Sequence, residues 1–197
     1  MDDKGMTVGC VVMAAGSASR FGKNKLLAAA GEKTMIERAL DAVPADALAA
    51  VCVVTRYPEI EALARRYGFS CVMNEHPEMG VSYTIRLGVG ALAHRCGAIL
   101  FQVADQPCLT RESVAALVER SREQPDRIVC LASGGVRGNP CVFPADLFPE
   151  LCALEGDTGG SAVIRRHPER VLLLETDARE LLDADTPEAL KGITDKQ

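Results

Sequence analysis

Stretches of strand length that are apolar at nearly every position recur along this chain, and segments of helical period separate them. Val8 to Ala14, Ala50 to Thr55, Ala98 to Val103 and Ile128 to Ala132 are such stretches, and Ser70 to Met73 is a shorter one. A strand with one face in water alternates apolar and polar residues, whereas a strand apolar on both faces has to be covered on both. Thr34 to Val43 places Met35, Ile36, Ala39, Leu40 and Val43 on one side of a helix, with Thr34 as its N-cap. Glu59 to Tyr67, Arg111 to Glu123 and a segment that Ser82 caps and that runs to about His94 are further helices. The pattern predicts a doubly wound α/β fold, Rossmann-like, with a mostly parallel sheet and helices on both faces. After Gly134 proline and glycine recur and the alternation loosens. Part of this last third is expected to be irregular or antiparallel structure laid over the sheet.

A chain of 197 residues fits one domain with a proper core. Its formal net charge of -5 argues against nucleic acid or an anionic membrane as partner, yet leaves room for a locally basic pocket. Met1-Asp2-Asp3-Lys4 lacks the basic start and apolar run of a signal peptide, and no stretch has the roughly 20 apolar residues of a membrane span. The expected location is the cytoplasm. The eight cysteines include no C-x-x-C pair, and several lie inside apolar runs, so they read as reduced, buried, small apolar residues rather than zinc ligands. Cys108 is the exception, in a loop beside candidate site residues.

In a doubly wound sheet, ligands bind beyond the carboxyl ends of the strands. The loop after the first strand, Ala14-Ala15-Gly16-Ser17-Ala18-Ser19-Arg20-Phe21-Gly22-Lys23-Asn24-Lys25, combines small residues, which let backbone N–H groups approach phosphate oxygens, with three cationic side chains. It is not a P-loop, since Asn24 rather than Ser or Thr follows Lys23, and the dinucleotide fingerprint glycines are absent. Gly88-Val89-Gly90-Ala91-Leu92-Ala93 fits that fingerprint only formally, because it falls within a helical pattern. Asp105 follows a buried strand and so emerges at the same sheet edge, where a carboxylate suits Mg²⁺. Asp183 and Asp185 share one side if their segment is extended, and Asp185 can instead cap the helix that Pro187 opens. The residues alone leave that choice open.

Met13-Ala14-Ala15-Gly16 through Lys25 resembles the L-A-A-G-x-S-x-R-x-G-x-x-K signature of the nucleotidyltransferases that make nucleotide sugars and cofactor nucleotides. Asn74 with Gly80-Val81-Ser82, the V-A-D-Q-P segment around Asp105, and Asp183-Ala184-Asp185-Thr186-Pro187-Glu188 resemble later signatures of the same superfamily. Within it the chain, from Val8 to about Leu190, is similar above all to the molybdenum-cofactor cytidylyltransferases. The resemblance implies Mg²⁺-dependent transfer of CMP from CTP to the phosphate of a molybdopterin-type acceptor, with release of pyrophosphate. It implies that Ala14, Ala15, Gly16, Ser17, Arg20, Lys25, Asn74, Gly80 and Ser82 hold the nucleotide, and that Arg20, Lys25 and Asp105 act in catalysis. By the same resemblance Asp105 and Asp183 bind the metal, and Gln106, Arg137, Asn139 and Asp157 face the acceptor. The nucleotide part then spans about 7–110 and the acceptor side about 111–190, with a molybdenum hydroxylase as client enzyme.

Three departures stand out. Ala18 replaces a Ser, Asn139 replaces the His of R-G-H-P, and Ser161 replaces the Arg of G-D-x-G-A-R, an obvious acceptor-phosphate partner. Rival readings are the same chemistry with GTP or a sugar phosphate, and a nucleotide-binding maturation partner that releases no pyrophosphate. A nicotinamide-dependent oxidoreductase is disfavoured by the missing fingerprint.

Overall fold

The computed structural model describes residues 6–16 and 24–194. Its sheet has seven strands: β1 (Val8–Ala14), β4 (Ala50–Thr55), β5 (Ser70–Met73), β6 (Ala98–Val103), β7 (Ile128–Ser133), β8 (Val136–Pro144) and β9 (Val171–Glu175). Two short strands, β2 (Ala29–Ala30) and β3 (Lys33–Thr34), form a separate hairpin. The order across the sheet is β5-β4-β1-β6-β8-β7-β9. β1 pairs in parallel with β4 and β6, β5 with β4, and β9 with β7, while β8 runs antiparallel to both its neighbours. The expected mostly parallel, doubly wound fold is what the chain adopts.

Alternate residues of each strand feed two separate cores, the reason these strands are apolar throughout. Helices α1 (Met35–Asp41), α2 (Pro58–Arg66) and α4 (Arg111–Glu123) cover one face, packing Ile36, Ile60 and Leu117 over Val12, Val53 and Leu100. On the other face α3 (Val81–Leu92), α5 (Phe148–Cys152) and α6 (Ser161–Arg166) pack Ile85, Leu151 and Ile164 over Val11, Val54 and Phe101. A side chain of this kind contributes about 1.5–3 kcal/mol when fully buried. Where α3 crosses β1, a Cβ on Gly88 would stand 2.6 Å from Val11 Cγ1, so the helix backbone lies directly on the strand.

Local chemistry fixes the ends of these elements. Thr34 caps α1 in a reciprocal box: its Oγ1 accepts from Glu37 N, and Glu37 Oε2 accepts from Thr34 N at 2.8 Å. Ser82, expected to cap α3, does not. The cap position is Gly80, at φ 80°, and Ser82 lies inside the first turn, where its N–H donates to Gly156 O at 3.1 Å. A distant backbone carbonyl has replaced the side-chain cap. The final helix, α7 (Pro187–Thr194), is capped by Thr186, whose Oγ1 accepts from Ala189 N at 3.1 Å. Asp185 is thereby left to other work.

The last third departs from the expectation of a layer over the sheet. β8 enters the sheet between β6 and β7, burying Val142 on one face and Cys141 and Phe143 on the other. Gly134 and Gly135, both at positive φ, turn the chain from Ser133 to its partner Val136 in two residues, and Glu175 accepts from both of their N–H groups. None of the eight cysteines is in a disulfide; Cys10, Cys52, Cys96, Cys130 and Cys141 are buried, and Cys108 is half-buried. No helix among the described residues is long and apolar enough to cross a membrane.

Candidate active site

The carboxyl ends of β1, β4 and β6 open into a cleft of about 290 Å³. Ala15 and Gly16, Asn74 and Gly80, and Lys25 and Asp105 all line it. Ala14 is different: it is fully buried in the core, and its carbonyl accepts from Thr55 Oγ1 at 3.0 Å. Gly16 O accepts from Tyr57 Oη at 3.1 Å, which fixes the direction in which the loop leaves the strand. Ser17 and Arg20, with Ala18, Ser19 and Lys23, lie outside the described residues.

Where description resumes, Asn24 caps a single 3-10 turn, Lys25–Leu27, by accepting from Leu26 N at 3.1 Å. Leu26 is buried in the core, so the turn is anchored and Lys25 projects into the cleft. Its Nζ donates to Asp105 Oδ2 at 2.8 Å and to Asp185 Oδ1 at 2.9 Å. Burial by itself pushes the ammonium toward deprotonation. The hydrogen bonds and charges of the two carboxylates outweigh it, and the Lys25 pKa is held above that of a free lysine.

Asp105 sits just past β6, and its carbonyl accepts from Ala184 N at 2.9 Å, which pins the acidic segment to the strand end. Gln106, expected to face the acceptor, is buried beneath that segment, where Nε2 donates to Asp183 Oδ1 at 3.0 Å and to Leu181 O at 3.2 Å. The Asp183 pKa is raised, first by desolvation of its carboxyl and then by the negative charges of Asp105 and Asp185. Three carboxylates thus gather about one lysine.

Could these residues hold a cation? Two carboxylate oxygens on different segments already converge on one nitrogen, and the surplus negative charge is registered by Asp183. The donors are hard oxygens, as Mg²⁺ or Mn²⁺ requires. Among the described residues no group of three or more His, Cys, Asp or Glu forms a ready-made metal cage. That matches a cation held by one or two carboxylates and completed by substrate phosphates. The residues fit.

Asn74 is buried, and both ends of its amide are engaged: Nδ2 donates to Thr84 Oγ1 at 3.1 Å and Oδ1 accepts from His76 N at 2.9 Å. It ties the loop before α3 to the helix while lining the cleft. Gly80 is forced by contact as well as by its positive φ, because a Cβ there would overlap the Gly156 carbonyl and stand 2.7 Å from Asp157 N. This approach brings Asp157, expected on the acceptor side, into the same cleft as the nucleotide-loop residues.

A second cavity of about 150 Å³ adjoins the first, sharing Met13, Val81 and Val103 as its border. Its walls are apolar, among them Ile85, Phe101, Phe143 and Ile164, and Arg137, Asn139 and Ser161 supply the polar groups. Arg137 Nη2 donates to Ser161 Oγ at 3.2 Å. The serine that stands in place of the expected arginine therefore orients the arginine that is present.

The sequence reading missed Arg56, which lines the first cleft and stacks over the Tyr57 ring at 5.0 Å. Its signal was available: like Asp105, it directly follows a buried strand, at the edge where ligands bind.

A cleft at the carboxyl ends of parallel strands, with a lysine and carboxylates gathered in it, is where a doubly wound sheet binds its ligand. The family model of the MobA-like NTP transferase domain matches residues 10–171, and the chain belongs to this family. It is a nucleotidyltransferase. The chain is 28% identical over 191 residues to the purine catabolism protein PucB of Bacillus subtilis (strain 168), covering 90% of this chain and 91% of that one. In fold it is similar to a nucleotidyl transferase of Methanothermobacter thermautotrophicus, with TM-score 0.80, 23% identity, and 96% and 97% of the two chains covered. It is also similar to Rv0371c of Mycobacterium tuberculosis H37Rv in complex with manganese, with TM-score 0.77, 22% identity, and 97% and 100% covered.

Proposed function

We propose that this protein transfers CMP from CTP to a phosphate of a molybdopterin-type acceptor and releases pyrophosphate, with Mg²⁺ as cofactor. One observation carries the reading: Lys25, Asp105 and Asp185 converge at the carboxyl edge of the sheet, where a cleft lined by Lys25, Arg56, Asp105 and Asp157 meets a second cavity whose one charged side chain among the described residues is Arg137. The triphosphate lies in the first cleft, against the Gly16 backbone and within reach of Lys25, and Ser17 and Arg20 are assigned to it by the sequence resemblance alone. The acceptor enters from the apolar cavity, its ring system against the apolar walls and its phosphate within reach of Arg137 and Asn139.

A phosphate oxygen of the acceptor attacks the α-phosphorus of CTP. The bond to the β-phosphate oxygen breaks, and pyrophosphate leaves with those electrons. The protein's part is to position the two phosphates and to offset charge, rather than to form covalent bonds. Lys25 neutralises charge growing on the α-phosphate and the leaving group. Asp105 would hold Mg²⁺ together with an acid of the 183–185 segment, and the cation would supply charge neutralisation where the two phosphates meet. Gln106 fixes Asp183, and Asp157 stands over the nucleotide end of the cleft. The likeness to a purine catabolism protein supports a molybdenum hydroxylase acting on purines as the client enzyme.

The test is Mg²⁺-dependent pyrophosphate release from CTP, GTP or ATP, each offered with purified molybdenum cofactor. Release with CTP alone is expected. Release with GTP alone would change the base, and release with none from a protein that still binds CTP would overturn the acceptor.

A further inference from the structure

Lys25 occupies the very place that a metal ion would need. Its Nζ lies 2.8 Å from Asp105 Oδ2 and 2.9 Å from Asp185 Oδ1, and its side chain is only 15% exposed. A divalent cation such as Mg²⁺ binds carboxylate oxygens at about 2.0–2.1 Å. An ion drawing on these two oxygens would overlap the ammonium. The two positive charges exclude one another, and expelling the lysine with no new partner would leave a largely desolvated charge unpaired, which is costly.

We propose that Lys25 is an internal counter-ion that latches the acidic site against free metal, and that the triphosphate releases it. The inference rests on the proposed reading of the cleft as a metal–nucleotide site. Triphosphate oxygens offer the ammonium a new anionic partner, and moving there ends the lysine's hold on Asp105 and Asp185 at the moment nucleotide arrives. Only the side chain has to move, because Asn24 and the buried Leu26 hold the turn in place. Asp185 is then, with Asp105, one of the two acids that the lysine holds until nucleotide arrives. Asp183 needs no such release, since Gln106 already holds it. The consequence is ordered loading: the cation binds with the nucleotide, and each strengthens the other's binding by the same factor.

The experiment measures Mn²⁺ binding to the full chain by electron paramagnetic resonance, with and without CTP and with no acceptor present. The wild-type protein is expected to bind Mn²⁺ at least about ten-fold more tightly when CTP is present. Added phosphate ligands would produce that coupling without any latch, so the Lys25→Met variant decides. The latch requires K25M to bind Mn²⁺ alone about ten-fold more tightly than wild type, and the coupling to CTP to shrink accordingly. Arg56→Met removes a cation from the same cleft without freeing the carboxylates, and is expected to leave Mn²⁺ affinity within about two-fold. K25M binding free Mn²⁺ no more tightly than wild type, or no more tightly than R56M does, overturns the proposal. Wild-type protein that binds Mn²⁺ equally well with and without CTP overturns it using the unaltered chain. Wild-type protein that takes up neither CTP nor Mn²⁺ in combination brings down the metal–nucleotide reading itself, and the latch with it.

Discussion

The two cavities along the carboxyl edge of the sheet are built in opposite ways. The first gathers charges delivered by loops from widely separated parts of the chain: Lys25 after β1, Asp105 after β6, and the 183–185 segment before α7. The second is shaped by side chains that face inward from strands and helices, Phe101 and Phe143 from the sheet and Ile85 and Ile164 from α3 and α6. Charges on loops can be exchanged between a lysine and an incoming ligand with little movement of the scaffold. Walls made of core residues are close-packed and change only by substitution. The first cavity is thus suited to chemistry and the second to choosing what is admitted.

That contrast breaks most visibly at Asp105. Asp105→Asn is expected to lower kcat about 10²–10³-fold or more while shifting Tm little, because it removes charge stabilisation without opening a hole in the core; steady-state kinetics beside a thermal melt check both halves of the statement. In the second cavity, Arg137→Ala is expected to raise KM for the acceptor about 10–100-fold, the worth of a lost charge-assisted hydrogen bond, with KM for CTP unchanged. A matching rise for CTP would show that the cavities do not divide the substrates.

Gly88 sits where α3 crosses β1, and Gly88→Ala is expected to cost about 1–3 kcal/mol of stability through overpacking against Val11, measured by denaturant unfolding. The smallest effect concerns Glu180, away from both cavities. Burial pushes its pKa up, but hydrogen bonds from Thr176, Thr110 and Ser113 outweigh this and the net shift is downward. A carboxyl whose pKa is depressed by folding contributes stability that is present above the unfolded-state value and lost as pH falls through the folded one. Glu180→Gln should therefore cost about 1 kcal/mol near neutrality and less in acid, so the two melting curves converge below about pH 4.

How much of this was legible in advance follows the same division. β1, β4 and β6 read directly, because burial on both faces leaves a run of apolar residues that little else in a protein produces. Thr34 read as a cap because its partner Glu37 is three residues away. β8 did not, since Arg137, Gly138, Asn139 and Pro140 interrupt its apolar run, and Arg137 and Asn139 line the second cavity. The Gly134-Gly135 pair is itself a hairpin signal, since both glycines take the positive φ that a two-residue turn needs. Asp185 and Thr186 are both good caps, and what decides between them is Lys25, which lies 160 residues away along the chain. Ser82 failed as a cap for a similar reason, because Gly156 reaches the helix terminus only in three dimensions.

The contact of Gly80 with Gly156 and Asp157 bears on how such an enzyme could diverge. The polar residues of the second cavity, Arg137, Asn139 and Ser161, lie outside the buried core and can be exchanged one at a time. At Gly80 no such freedom exists, since any side chain there would push the segment that carries Asp157 off the start of α3. A lineage changing its acceptor is free to redraw the apolar cavity, but it inherits this pair of backbones as a fixed hinge pin that joins the two substrates' quarters.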